Sequence, residues 1–174
     1  RKRAPIDPTL RASDLEISEI ECLAASWARR VRLAKQTVSA EDLYGGRGLS
    51  EARMAAAALG APLCIVSAGL GIVASQQKVA AYSLTLANND PDSIGPKVSG
   101  EFSAGRWWRA LHMALGAEQG ALSKMMSGRS GVAIVALPGT YLDLIAADIL
   151  ALPREDFVRV RLVGPPREMV PPEL

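Results

Sequence analysis

Two short apolar runs, residues 63–67 and 131–137, are fenced by glycine or proline and set beside helical patterns, and this alternation constrains the chain more than any other feature. Runs this short and this well punctuated read as buried strands; neither is long enough to span a bilayer. The helical patterns are equally legible. Ser13 followed by Glu16 forms a capping-box signature, and residues 13–35 then space Leu15, Ile20, Leu23, Trp27, Val31 and Ala34 by three to five positions, which predicts one helix with Trp27 in its core face. An alanine-rich helix is expected over 50–59, stopped by Gly60 and Pro62, and another over 140–150, capped at or near Thr140 and stopped by Pro153. Residues 105–126 read as one helix or as two broken at Gly116 or Gly120, and 157–163 alternate as a third, more exposed strand. Strand, helix, strand, helix, strand predicts an α/β fold, a three-layer sandwich with a mainly parallel central sheet.

Composition narrows the classes. With 174 residues, 49% hydrophobic and 22% charged, the chain is neither disordered nor fibrous, and at this length roughly two thirds or more of the unfolded surface is buried without disulfides or a structural metal. Residues 1–12, with Pro5 and Pro8, lack periodicity and read as an arm or a trimmed end, leaving 13–174 as a single domain. No signal-peptide pattern opens the chain, so a soluble cytoplasmic protein is expected. Cys22 and Cys64 form no CxxC and read as packing thiols, and one histidine, His112, cannot build a multi-histidine metal site; neither metal nor cofactor is expected. A net charge of +2 is small, but basic residues gather at Arg1, Lys2 and Arg3, at Arg29, Arg30, Arg32 and Lys35, and at Arg154, Arg159, Arg161 and Arg167.

Several residues carry chemistry. In open α/β sheets ligands sit beyond the carboxyl ends of the strands, which directs attention to the Ser67-Ala68-Gly69-Leu70-Gly71 turn and to Pro138-Gly139-Thr140. The glycines let backbone N–H groups approach a ligand. Within the irregular stretch 74–102, Asn88, Asn89 and Asp90 supply amides and a carboxylate together, a set able to position water; composition equally reads them as a turn with Asx hydrogen bonds. Tyr44 and Tyr82 offer ring faces, while Arg47, Lys78 and Arg106 are candidates for phosphate contacts. His112, one helical turn after Trp108, reads either as a packed side chain or as a pocket residue. Trp107 and Trp108 are either core residues or surfaces for stacking on nucleic acid.

The runs SAEDLYGGRGLSEARMAAAALGAPLCIVSAGLGIV, AAYSLTL and GVAIVALPGTYLDLIAADILAL, within residues 39–152, resemble the YaaA-like proteins, which are grouped with the uracil-DNA glycosylase superfold. The resemblance implies a DNA-directed function; for that chemistry Ser67, Gly69, Tyr82, Tyr44 and His112 are the candidates around a base, and Asn88, Asn89 and Asp90, chosen for their amides and carboxylate and not carried over from the family, are the candidates for the catalytic role. Two departures bear on it. Tyr82 is followed by Ser83 where many members carry aspartate, and Leu137-Pro138-Gly139-Thr140 stands where uracil-DNA glycosylases have a histidine.

The expectation is therefore a metal-independent DNA N-glycosylase that removes a modified or non-standard base and leaves an abasic site, in a defence role if that DNA is phage DNA. Two alternatives stand beside it: a non-catalytic nucleic-acid-binding module, and a Rossmann-like binder of nucleotides or small molecules through YGGRG and LPGTY. The alanine-rich helix also leaves open a protein partner.

Overall fold

In the computed structural model, residues 4–116, 121–164, 168, 170 and 174 are described. The elements in chain order are α1 (Ile20–Leu33), β1 (Val38–Ser39), α2 (Ala40–Leu43), α3 (Arg47–Ala58), β2 (Cys64–Ser67), β3 (Gly71–Ala74) and β4 (Lys78–Val79). They continue with α4 (Ala104–Leu115), α5 (Ala121–Met126), β5 (Ala133–Ala136), α6 (Gly139–Leu150), α7 (Arg154–Phe157) and β6 (Val160–Val163). The fold is mixed α/β.

The described strands pair two by two: β1 with β4 and β2 with β3 antiparallel, β5 with β6 parallel. They do not join into the one mainly parallel sheet that alternation predicts. The reason lies at residues 67–71, where the chain turns straight back and β3 runs antiparallel beside β2 with Ser67 opposite Gly71, making a hairpin where a strand-to-helix crossover is expected. The β5–α6–β6 unit does supply a parallel pair, yet β5 is half open, with Ile134 53% exposed, and is not the fully buried strand its apolar run predicts.

Helix α1 begins at Ile20, not Ser13. Periodicity is overridden by tertiary pairing: Ala12–Asp14 form a single 3-10 turn, the Ser13 N–H donates to the Asp92 carboxylate at 3.0 Å, and Ser18 exchanges backbone bonds with Lys97 and Ser99. The capping box is thus not used. The expected arm is likewise drawn in: Leu10 and Ala12 are fully buried, and the backbone bonds Asp7 to Ala81, Ser83 to Leu10 and Ala12 to Ser83 lace residues 7–12 along 81–83. Arg1, Lys2, Arg3, Gly120 and Arg167 lie outside the described residues.

From Ile20 onward α1 follows its stripe, burying Ile20, Leu23, Ala24, Trp27, Ala28 and Val31 against α4. Cys22 lies on the opposite face, exposed, so it is no packing thiol. The two helices run the same way, because Arg106 near the start of α4 grips Glu21 near the start of α1 through two 2.8 Å bonds, and Arg32 near the end of α1 donates to the Ala114 carbonyl at 2.6 Å. Helix α4 starts under Ser103, whose hydroxyl accepts the Arg106 N–H, and ends at Gly116 in the left-handed conformation, φ 73°. Its other face packs on α6 and β3. Helix α3 starts at Arg47, earlier than the alanine run predicts, and buries no residue. Among the described residues no helix is long and apolar enough to cross a membrane.

Candidate functional site

The Ser67–Gly71 turn is where the core converges. Its carbonyls are held from below by two buried indoles, Trp107 Nε1 donating to Ala68 and Trp27 Nε1 to Gly69, each at 2.8 Å. Its glycines are required by close neighbours. A Cβ on Gly69 would lie 2.7 Å from Cε2 of Tyr82, and one on Gly71 would lie 2.7 Å from Nε2 of His112 at a backbone φ of +77°. Tyr82, fully buried, stands edge-on between Trp27 and Tyr44, with ring centres 5.7 and 6.4 Å away.

At the end of β2 three hydroxyls close a ring. Tyr44 Oη donates to Ser67 Oγ at 2.8 Å, Tyr44 and Tyr82 are 2.6 Å apart, and Ser67 and Tyr82 are 2.7 Å apart. The Leu70 N–H adds a bond to Ser67 Oγ at 3.0 Å. Burial pushes the Tyr44 pKa up to about 12, against the lowering effect of its bonds to Ser67 and Tyr82, and burial together with the neighbouring Tyr44 holds Tyr82 well above the ordinary phenol range. Both phenols are therefore neutral at physiological pH. Residues from three separate stretches of chain, none adjacent to another, form this ring.

His112 closes the other side, 7% exposed, its ring 4.1 Å from that of Trp108. Burial depresses its pKa against the opposing charge of Asp148, which Trp108 Nε1 holds at 2.7 Å. The imidazole is thus a neutral packing group over Gly71. All five residues expected around a base, Ser67, Gly69, Tyr82, Tyr44 and His112, meet at this turn.

The expected catalytic loop has a different setting. Asn88, Asn89 and Asp90 are exposed, and the Asp90 carboxylate accepts the Asp92 N–H at 2.8 Å in an Asx turn, which is the second of the two readings of that sequence. The buried carboxylate is Asp92, 5% exposed, which sequence reasoning left among the turn residues. Burial acts to raise its pKa, but bonds from Ser83 and Ser13 and the nearby Arg11 outweigh this and leave it below the usual carboxylate value. Asp92 thereby ties the N-terminal segment to the loop. Asp92→Asn is expected to lower unfolding stability by about 1–3 kcal/mol in urea titrations at neutral pH. Because the folded pKa is depressed, the carboxylate's contribution is present above the unfolded value near 3.9 and fades as pH falls through the folded one, so the gap between wild type and variant closes below about pH 4.

The basic residues also divide. Arg106 is committed to Glu21, Arg47 forms an exposed i,i+4 pair with Glu51 at 2.7 Å, and Lys78 is exposed on β4. Arg30 and Arg32 donate to the carbonyls of Asp14 and Ala114, and Arg159 to those of Gly131 and Arg129, so much of the basic clustering clasps backbone. Among the described residues no group of three or more His, Cys, Asp or Glu is placed to hold a metal ion.

Beside the ring, Tyr44, Gly45, Gly46, Leu49, Ser50 and Arg53 line a small, shallow depression open to solvent. Arg53 on its rim is oriented by Glu41 at 3.6 Å, itself held by Gln76. The turn glycines signalled the hub in the sequence, and Tyr44, the first residue of YGGRG, was among the residues expected beside it.

Comparison of the chain with protein-family models, with curated proteins and with solved structures found no match to any of them.

Proposed function

We propose that this chain acts on a base in DNA, holding it in the depression beside Tyr44 and cleaving its N-glycosidic bond to leave an abasic site. The observation that carries the reading is the hydroxyl ring of Tyr44, Ser67 and Tyr82, which brings together residues from two of the three runs that carry the YaaA-like resemblance. A site that takes an extruded base needs an aromatic or apolar surface beside polar groups that read its edge, and the depression combines Tyr44 and Leu49 with Ser50 and Arg53. Arg47 and Lys78 are exposed and able to meet phosphates. The Asn88, Asn89 and Asp90 loop would position the attacking water. With this reading go a cytoplasmic site of action and the three-layer sandwich of the superfold, to which the β5–α6–β6 unit would belong.

A second reading, a binding module without chemistry, is favoured by one observation: Asp90 is exposed and occupied in its own turn. One assay separates the two. Purified protein is incubated with genomic DNA, including phage DNA with hypermodified bases, and the released small molecules are identified by mass spectrometry. The glycosylase reading expects a free base and a loss of about 100-fold or more in its release on Asp90→Ala or Asn89→Ala. Salt-sensitive retention of DNA with no base released would leave only the binding module.

A further inference from the structure

Arg53 differs from the cations expected to meet phosphates in how it is held. Its Nε pairs with Glu41 Oε2 at 3.6 Å, and Glu41 comes from a different element, α2, with a side chain only 17% exposed. The other oxygen of that carboxylate accepts from Gln76 Nε2 at 2.8 Å, and the Glu41 backbone N–H donates to the Ser75 carbonyl at 2.9 Å, so residues 75–76 fix Glu41 where it meets the guanidinium. Arg47, by contrast, pairs along its own helix with a side chain 92% exposed, and Arg106 spends Nε and Nη2 on Glu21. Lys78 is a point charge on a flexible stem.

An arginine engaged through Nε keeps its two terminal amino groups for a ligand. Among the described residues neither Nη1 nor Nη2 of Arg53 has a hydrogen-bond partner, and the residue lines the depression together with Ser50. Two parallel N–H groups on a planar fork match two oxygens of one phosphate, a contact that lysine cannot make. A shallow depression open to solvent lets that phosphate approach without giving up all of its water. We infer that Arg53 grips a phosphate of the DNA strand whose base the depression holds, and that Glu41 is the positioning residue that presents the guanidinium to it. The inference rests on the reading of the depression as the place where a base is held.

The test is equilibrium binding, followed by fluorescence anisotropy, of a single-stranded DNA oligonucleotide of mixed sequence over a range of salt concentrations. Arg53→Gln is expected to bind about tenfold more weakly at low salt, and the slope of log Kd against log salt should fall by about 0.7, the share of one phosphate contact on a single strand. Helix α3 buries no residue and the Arg53 side chain is 43% exposed, so the variant should retain wild-type circular dichroism. Arg109→Gln removes an equal charge from an exposed position on α4 and should leave affinity and slope nearly unchanged. Glu41→Ala takes away a negative charge, which alone would tighten the binding of an anion, so binding weakened by about threefold marks the loss of a held guanidinium. A loss of affinity in Arg53→Gln with an unchanged slope would mean a contact to a base edge, and a loss matched by Arg109→Gln would mean diffuse attraction; each overturns the inference. Wild-type binding that Arg53→Gln leaves intact also overturns it, while the base-holding reading stands. Glu41→Ala binding as tightly as wild type, or tighter, removes Glu41 from the positioning role. Absence of salt-sensitive DNA binding by the wild type overturns both the inference and the reading on which it rests.

Discussion

Trp107→Ala is expected to destabilise the protein by about 3–5 kcal/mol, among the largest effects of any single substitution in the chain. The residue is fully buried, so alanine leaves a cavity that the packed helices α1 and α4 cannot fill. It also removes the indole N–H from the Ala68 carbonyl, stranding a buried acceptor. Trp107→Phe separates the two causes, since it keeps most of the volume and loses only the donor, and should cost about 1–3 kcal/mol. Denaturant titrations of both variants check this. A loss of under about 1 kcal/mol for the alanine variant would mean that the turn is not held from below as described.

Gly69→Ala is expected to cost about 1–3 kcal/mol and to disrupt base binding at Tyr44. The added Cβ would stand 2.7 Å from one Tyr82 ring carbon and 3.1 Å from two others. The ring is fully buried and wedged against Trp27, so it cannot swing away without dragging its hydroxyl from Ser67 and Tyr44. Gly69 is not among the glycines with positive φ, so the effect is steric and not backbone strain. A double-mutant cycle with Tyr82→Leu tests the assignment: the smaller side chain should absorb much of the alanine's cost, giving a coupling of about 1 kcal/mol or more, without restoring binding. Additive costs would show that the close approach is not what the glycine is for.

Much of this hub was legible in the sequence. Ser67, Gly69 and Gly71 stand out by spacing, and Trp27 falls on the apolar stripe of its helix, because local pattern and tertiary position agree there. What could not be read was the direction of the chain after Gly71. A short apolar run closed by a glycine turn has the same signature whether a helix or a second strand follows, and Ile72 and Val73 are too few to declare a strand alone. The start of α1 was misread for a related reason. The capping-box pattern of Ser13 and Glu16 is present, but the bonds that override it come from Asp92, Lys97 and Ser99, about eighty residues along, which no local window contains. Asp90 and Asp92 show the same limit, for two positions apart in sequence they differ in burial because only one faces the N-terminal segment.

The placement of the tryptophans has a spectroscopic consequence. All three are buried, two bonded directly to the Ser67–Gly71 turn and the third packed at a tilt against the histidine that covers Gly71. Intrinsic fluorescence excited at the red edge of the indole band therefore samples one region and is nearly blind to α3 and β6. A label-free emission spectrum becomes a local gauge: a shift on adding a ligand reports an event at the hub, and a constant spectrum during changes elsewhere reports that the hub has not taken part.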